Sequence, residues 1–343
     1  MNIFELVTAD SISAYWTTLS QNLAPFLGAE LFPSQQKLGL DIKWIKGASG
    51  LPVVLKPSAY DVASQKRDRI GFEKLSMEMP FFKEATYIDE ELRQQLNMVI
   101  ETGNQSYIDS IMNRVFNDET QLLEGASAQR ERIRMSVLTT GAVSISANGQ
   151  DYDYDYGLKT DQKSTVTVSW STVTADIIGD IQAQQDLLED QTGVRPTRSI
   201  CSRKTFGYLR ANTAIRNSIL GNDTSAPVSD LKIHQFILDT LDLDVVIYAK
   251  KFKNELNQTK AYVADDIFVI FPTGILGTGW FGTTPEQSDL MAGTTANVSI
   301  TDVGVAVTTT KKVDPVNVET KVSMIYLPSF EAASKIHIFD IIA

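Results

Sequence analysis

Cysteine and histidine are almost missing from this chain: Cys201 is its single cysteine, and His234 and His337 are its two histidines in 343 residues. One cysteine excludes an intrachain disulfide. A structural zinc site draws four ligands from Cys and His, so it is nearly excluded too. No apolar run approaches the roughly 18 residues that a membrane span needs, and no transmembrane helix is expected. The start, Met1-Asn2-Ile3-Phe4-Glu5-Leu6, has neither a basic n-region nor an apolar h-region, so no secretory signal is expected. A chain that is made and acts in a reducing cytoplasm is the expectation. Positive charge is also short, with 31 Lys and Arg against 42 Asp and Glu, a formal net charge of −11. A nucleic-acid grip depends on clustered cations neutralising phosphates. On balance this surface repels DNA, and only local patches could attract it.

Catalytic signatures are equally scarce. No Gly-x-Ser-x-Gly elbow occurs. Gly274, Gly277, Gly279 and Gly282 crowd after a strand, but Trp280-Phe281-Gly282-Thr283-Thr284-Pro285 starts no helix and no Gly-Lys-Ser/Thr follows. A phosphate cradle needs that helix, so the glycines read as a flexible loop. Asp151-x-Asp153-x-Asp155 looks like the opening of a calcium loop, yet the positions of the turn glycine and the bidentate glutamate hold Tyr156 and Gln162. Its period-two spacing fits a solvated strand better, with a metal site as the lesser alternative. Cys201 falls in a buried-type strand and reads as a packing residue. His337 in an alternating strand and His234 on a helix lack the company of a nucleophile or a ligand. The acids mark no pair above the rest. No cofactor and no metal are expected, and a hydrolase with an inconspicuous carboxylate pair is the enzyme rival.

What is present is 43% apolar content, enough for a sizeable core in two or more compact regions. Residues 1–24 read as a helical arm, with caps from Ala9-Asp10-Ser11 and an apolar face of Ile12, Tyr15, Trp16, Leu19 and Leu23. Residues 37–46 alternate as a half-buried strand. A polar excursion follows, out along Pro52-Val53-Val54-Leu55-Lys56-Pro57 and back along residues 70–79, with the charged tip Gln65-Lys66-Arg67-Asp68-Arg69 between the arms. The helical pattern is clearest over residues 105–138, where Ile108, Ile111, Val115, Leu122, Ala126, Ile133 and Val137 make a narrow, heptad-like seam. At ~1.5 Å per residue such a helix is about 50 Å long. Gly125 permits a bend inside it, and Gly141 suits the C′ position. A two-stranded coiled coil is the alternative, weakened by the missing e/g charge pattern.

Asn148-Gly149 is the strongest hairpin signal. Helices are predicted over 175–191, over 204–220 as one or two pieces, and over 231–241. Strands are predicted at 198–202, 245–248 and 267–271, over 296–307 and 316–327 as two long alternating runs, and at 336–342. A projecting loop that buries little at home, beside a helix too long for a small domain, points to surfaces meant for neighbouring subunits. Lys66, Arg67, Asp68 and Arg69 read either as a solvated tip or as a cationic contact for an acidic patch on an adjacent copy. Such a contact sets register and is salt-sensitive.

This order of elements resembles that of tailed-bacteriophage major capsid proteins, and more narrowly the lambda-type major capsid protein E family. The residues that carry the likeness are Leu31-Phe32-Pro33-Ser34-Gln35-Gln36-Lys37, Pro80-Phe81-Phe82-Lys83-Glu84, and Val322-Ser323-Met324-Ile325-Tyr326-Leu327-Pro328-Ser329-Phe330. The resemblance implies an α+β chain with the Hong Kong 97-like capsid fold. Its parts would be an N-terminal arm (1–48), an extended loop (49–84), a peripheral domain with the long spine helix (85–173), an axial domain (174–295) and closing strands of both domains (296–343). It implies a virion protein that self-assembles in the host cytoplasm through hexamers and pentamers into an icosahedral head around packaged double-stranded DNA. Partners would be a separate scaffolding protein, a portal protein and, optionally, a decoration protein. DNA would be enclosed without specific binding, and no membrane would take part. Lys66, Arg67, Asp68, Arg69 and Phe72 are the inter-subunit contact candidates. Some relatives cross-link neighbours through a loop Lys and a distant Asn; no such motif is found, and Lys56 or Lys66 alone does not make one. A phage tail or tube protein, also strand-rich and self-associating, is the alternative.

Overall fold

The computed structural model describes residues 7–45, 74–88, 90, 94, 98, 105–147, 149–221, 226–290, 296–313 and 316–342. The chain opens with helix α1 (Ala9–Ser20), the short α2 (Leu27–Leu31), and strands β1 (Ser34–Gln36), β2 (Asp41–Ile45), β3 (Lys74–Glu78) and β4 (Phe81–Ile88). The long α3 (Gln105–Thr140) leads into β5 (Ala142–Ala147), β6 (Gln150–Asp155) and β7 (Lys163–Thr165). Next come α4 (Ile177–Thr192), β8 (Arg198–Cys201), α5 (Arg203–Ala211), α6 (Thr213–Leu220), α7 (Asp230–Leu241) and β9 (Asp244–Ile247). The remaining strands are β10 (Lys251–Lys253), β11 (Thr259–Ala261), β12 (Ile267–Phe271), β13 (Gly279–Phe281), β14 (Asn297–Thr301), β15 (Val305–Val313), β16 (Val316–Pro328) and β17 (His337–Asp340). They form two compact units. The first holds residues 1–42, 76–134 and 278–329, and the second 43–75, 135–277 and 330–343.

The first unit is built on a sheet of order β1-β13-β16-β15-β14, with β4 also paired to β16. Strand β16 is 13 residues long because it serves three neighbours. It pairs with β15 from Val316 to Met324, with β4 from Val318 to Ile325, and with β13 from Tyr326 to Pro328. Thr320 and Tyr326 share one face of it, and Lys321 and Ser323 the other, by the two-residue repeat of a strand. Tyr326 meets Arg134 of α3, whereas Lys321 and Ser323 both meet Glu286. Both faces are therefore covered, which explains the near-continuous apolar run Val322-Ser323-Met324-Ile325-Tyr326-Leu327. Helix α1 packs on β14 and β15. Its cap is Thr8, one residue before the expected caps, in a capping box with Ser11.

The second unit carries a sheet of order β7-β17-β12-β8-β9. Its apolar core gathers Trp170, Phe206, Ile233, Ile237, Phe268 and Phe339. Trp170 meets Phe268 edge-on at 5.3 Å and donates its indole N–H to Asp180 at 2.9 Å, the arrangement a buried tryptophan needs. Asn148 lies outside the described residues; β5 and β6 pair in the register Ala147↔Gln150, with Gly149 at φ 73°. Gly141 sits at φ 69° and donates its N–H to Val137, ending α3 as the C′ residue.

Three expectations are corrected. Residues 296–307 are not one strand: Asp302, Val303 and Gly304 turn the chain between β14 and β15, with Asp302 at φ 53° and Val303 at φ 110°. Residues 38–40 form a bend, and the strand begins only at Asp41. The glycine-rich stretch is not simply a flexible loop, because Gly279–Phe281 is β13, laid between β1 and β16. Gly279 and Gly282 are glycines of close approach: a Cβ there would meet the Tyr326 hydroxyl at 2.6 Å and Ile325 Cγ2 at 2.7 Å.

Candidate assembly site

Lys66, Arg67, Asp68, Arg69 and Phe72, together with Lys56, lie outside the described residues. The strands that flank that segment, β2 and β3, pair with each other in a two-stranded sheet of their own. The chain thus departs and returns through adjoining strands.

Helix α3 is the element around which the first unit is fastened. Tyr15 donates to Asn117 at 2.8 Å and stacks on Phe116. Arg130 forms an ion pair with Asp302 at 2.6 Å, lies 5.6 Å from the centre of the Phe281 ring, and shares Asp302 with the Trp16 indole N–H. The Gly28 N–H donates to buried Glu131 at 3.1 Å. Arg134 donates through Nε to the Tyr326 hydroxyl at 2.7 Å and through Nη2 to Ser34 at 3.0 Å. Residues 15, 28 and 34 therefore meet helix positions 116–117, 131 and 134 in the same order. The N-terminal residues run along α3 and are tied to it at positions 116–117, 131 and 134.

The Tyr15–Asn117 bond is exposed, whereas the ties farther along are polar and desolvated. Arg130, Glu131 and Arg134 are buried, so removing one partner leaves a buried charge uncompensated, at a cost of about 3–5 kcal/mol. The narrow apolar seam expected of α3 misses them: toward its C-terminus the helix is buried on several sides, with charged residues among the contacts. Further along, the Glu119 carboxyl faces the Thr320 hydroxyl, and burial, with Asp118 adding to it, pushes its pKa up to about 7. From Glu119 to Arg134 the helix rises ~22 Å. From Thr320 to Tyr326 the strand covers ~20 Å. The matching spans show α3 lying along β16 in the same direction. On the opposite face of β16, burial alone would raise the pKa of Glu286, but Lys321 at 2.6 Å and the Ser323 hydroxyl hold it below the usual carboxylate value.

The chemistry-bearing residues elsewhere are structural. Burial pushes Cys201 up to about 12, which leaves it a thiol. His234 stacks on Phe206 at 4.7 Å. Asp151, Asp153 and Asp155 lie exposed along β6, and Asp155 accepts from the Gly157 N–H. Among the described residues no group of three or more His, Cys, Asp and Glu could hold a metal ion, and no helix is long and apolar enough to cross a membrane. One juxtaposition escaped the sequence: His337 Nε2 lies 2.8 Å from the Ser164 hydroxyl, across 173 residues. Burial lowers that histidine to about 4, against the pull of Asp161. The imidazole is fully enclosed and edge-on to Phe339 at 4.6 Å, so the pair packs and meets no substrate.

The family model for phage major capsid protein E matches residues 8–338. A protein assigned as a prophage capsid protein, from Escherichia coli CFT073, has the same fold, with a TM-score of 0.62 at 14% identity, over 98% of this chain and 99% of that one. A phage-related protein from Bordetella bronchiseptica RB50 superposes with a TM-score of 0.57 at 11% identity, covering 96% of each chain. The capsid asymmetric unit of cyanophage A-1(L) gives 0.53 at 10% identity, covering 92% of each chain. No protein of curated function matches the chain in sequence.

Proposed function

The chain belongs to the phage major capsid protein E family, and from that premise we propose that it builds an icosahedral head from hexamers and pentamers and encloses packaged double-stranded DNA. It is a structural shell protein of the virion and not an enzyme. The observation that carries this reading is the family match, which runs over nearly the whole length. The family match gives the tail or tube alternative no support.

The N-terminal arm spans 1–48, the extended loop 49–84, the peripheral domain with the long helix 85–173 and the axial domain 174–295, with closing strands of both at 296–343. Rings of identical subunits close through head-to-tail contacts. A loop laid over the adjacent copy supplies one such contact, with Lys66, Arg67, Asp68, Arg69 and Phe72 as its contact residues. Many modest contacts per subunit multiply into a shell while each stays weak enough for errors to dissolve. The polar ties along α3 favour a first unit that holds its shape, as a shell under internal pressure requires. A separate scaffolding protein, a portal protein and, optionally, a decoration protein complete the set of partners, with assembly in the host cytoplasm.

Deletion of residues 59–71 tests the loop. The expected product is a folded, soluble subunit that no longer forms shells in electron micrographs. Normal shells from the deleted chain would remove the loop from the assembly contacts. Tubes in place of closed shells from the intact chain would overturn the head reading itself.

A further inference from the structure

We propose that the β10–β11 hairpin of one subunit docks on the acidic turn between α7 and β9 of a neighbouring copy, as a head-to-tail contact within the ring. The proposal rests on the shell-subunit reading and names one of its contacts.

Residues 250–260 hold four lysines against one glutamate, in a chain whose net charge is −11. Among the described residues strands β10 and β11 pair only with each other, in the register Lys251↔Ala261, Phe252↔Lys260 and Lys253↔Thr259. Phe252 packs on Tyr262 at 4.9 Å, which anchors one face of the hairpin. Lys251 and Lys253 are exposed on the other face, and Lys260 is exposed beside Phe252. None of these three has an ion-pair partner among the described residues.

The complementary patch lies at the other end of β9. Asp239 is in the last turn of α7, Asp242 is its left-handed cap at φ 50°, and Asp244 begins β9. All three are exposed, and no Lys or Arg lies among residues 239–244. Among the described residues Asp239 accepts only from the neutral Gln235 amide, at 2.7 Å. Carboxylates there face the negative end of the helix dipole, an unfavourable placement that an incoming cation relieves. Strand β9 is the last strand in its sheet's order and spans about 10 Å, so the two patches stand at opposite ends of one sheet edge. Two different, mutually complementary patches on one subunit are what a head-to-tail ring contact needs. Opposed charges of this kind set register and speed encounter, and salt weakens them.

Charge reversal tests the pairing in the full chain. One variant carries Lys251→Glu, Lys253→Glu and Lys260→Glu. A second carries Asp239→Lys and Asp244→Lys, leaving the left-handed Asp242 in place. A third combines them. Neutral versions (Lys→Gln, Asp→Asn) keep the result readable if a reversal unfolds, with circular dichroism reporting the fold. Each reversal alone is expected to lower shell yield roughly tenfold or more, and the combination to restore it. Unchanged yields from the single reversals, or no rescue by the combination, would overturn the pairing while leaving the shell-subunit reading intact. If the lysine variant forms normal shells yet loses retention of double-stranded DNA, the hairpin contacts DNA and the proposal is wrong. An unaltered chain that forms no shells fells the shell reading and this contact with it.

Discussion

Gly28 presents its backbone N–H to the Glu131 carboxylate at 3.1 Å, and the side chain it lacks is the space that carboxylate occupies. A Cβ on Gly28 would overlap Glu131 Oε2 and lie 2.9 Å from Arg134 Cδ. Both neighbours are buried, and Arg134 is held by Tyr326 and Ser34, so neither can yield cheaply. Gly28→Ala is therefore expected to destabilise the folded subunit by ~1–3 kcal/mol, the cost of overpacking a filled site. Chemical denaturation checks this. A loss below ~0.5 kcal/mol, typical of surface changes, would mean that the N-terminal residues can slide along α3.

Glu119 makes stability depend on pH in an unusual direction for a carboxylate. Its ordinary value is 4.5 and its folded value about 7, so the folded state holds the proton more tightly. Its stabilising contribution is complete below about pH 4.5 and is lost as pH rises through 7. Glu119→Gln removes the titration. At about pH 8 the variant should be the more stable by up to ~3 kcal/mol, and the gap should close on acidification. Denaturant midpoints measured across that range decide it; a constant offset between the two proteins would refute the buried-acid account.

His337 acts with the opposite sign. Its folded value is near 4 against an ordinary 6.5, so the unfolded chain takes up the proton first as pH falls. Stability from this residue is complete above about pH 6.5 and is lost as pH drops through 4. His337→Gln, which leaves an amide to face the Ser164 hydroxyl, should flatten the acid limb of the stability curve. Thermal melts at several acidic pH values check it, and an acid limb unchanged by the substitution would assign the loss to other groups.

Much of the fold was legible because local chemistry announces it. Gly141 ends α3, Gly193 caps α4 at φ 71°, and Gly149 sits at φ 73° between β5 and β6, each by backbone demands that few residues meet. The fastening of α3 was not legible in the same way. An apolar seam marks Val115, Ile133 and Val137 as buried, but Arg130, Glu131 and Arg134 read as solvent-facing until their partners are known. Those partners lie far off in sequence: Tyr326 is 192 residues from Arg134, and Asp302 is 172 from Arg130. The turn at Asp302 and Val303 was hidden for a different reason. A β-branched residue at φ 110° is a conformation that sequence preference argues against. The acidic total likewise conceals the lysines of the β10–β11 hairpin, since net charge averages over patches.

Tyr326 and Gly279 should prove coupled. The Tyr326 hydroxyl accepts from Arg134 Nε at 2.7 Å, and the same oxygen is the atom that a Cβ at position 279 would meet first, at 2.6 Å. Tyr326→Phe leaves a buried guanidinium short of a partner and should cost about 1.5–3 kcal/mol. Gly279→Ala alone forces that ring against its neighbours and should cost ~1–3 kcal/mol. In the double variant the hydroxyl is gone, so the worst overlap disappears, although the Tyr326 ring edge at 3.1 Å and the Phe32 carbonyl at 3.2 Å stay close. The two losses should therefore add to less than their sum, by more than the ~0.5 kcal/mol within which independent sites behave additively. A double-mutant cycle by urea denaturation measures this. Strict additivity would mean that the sheet opens at β13 to admit the methyl group, and that the close packing of β13 on β16 does not depend on the hydroxyl that Arg134 holds.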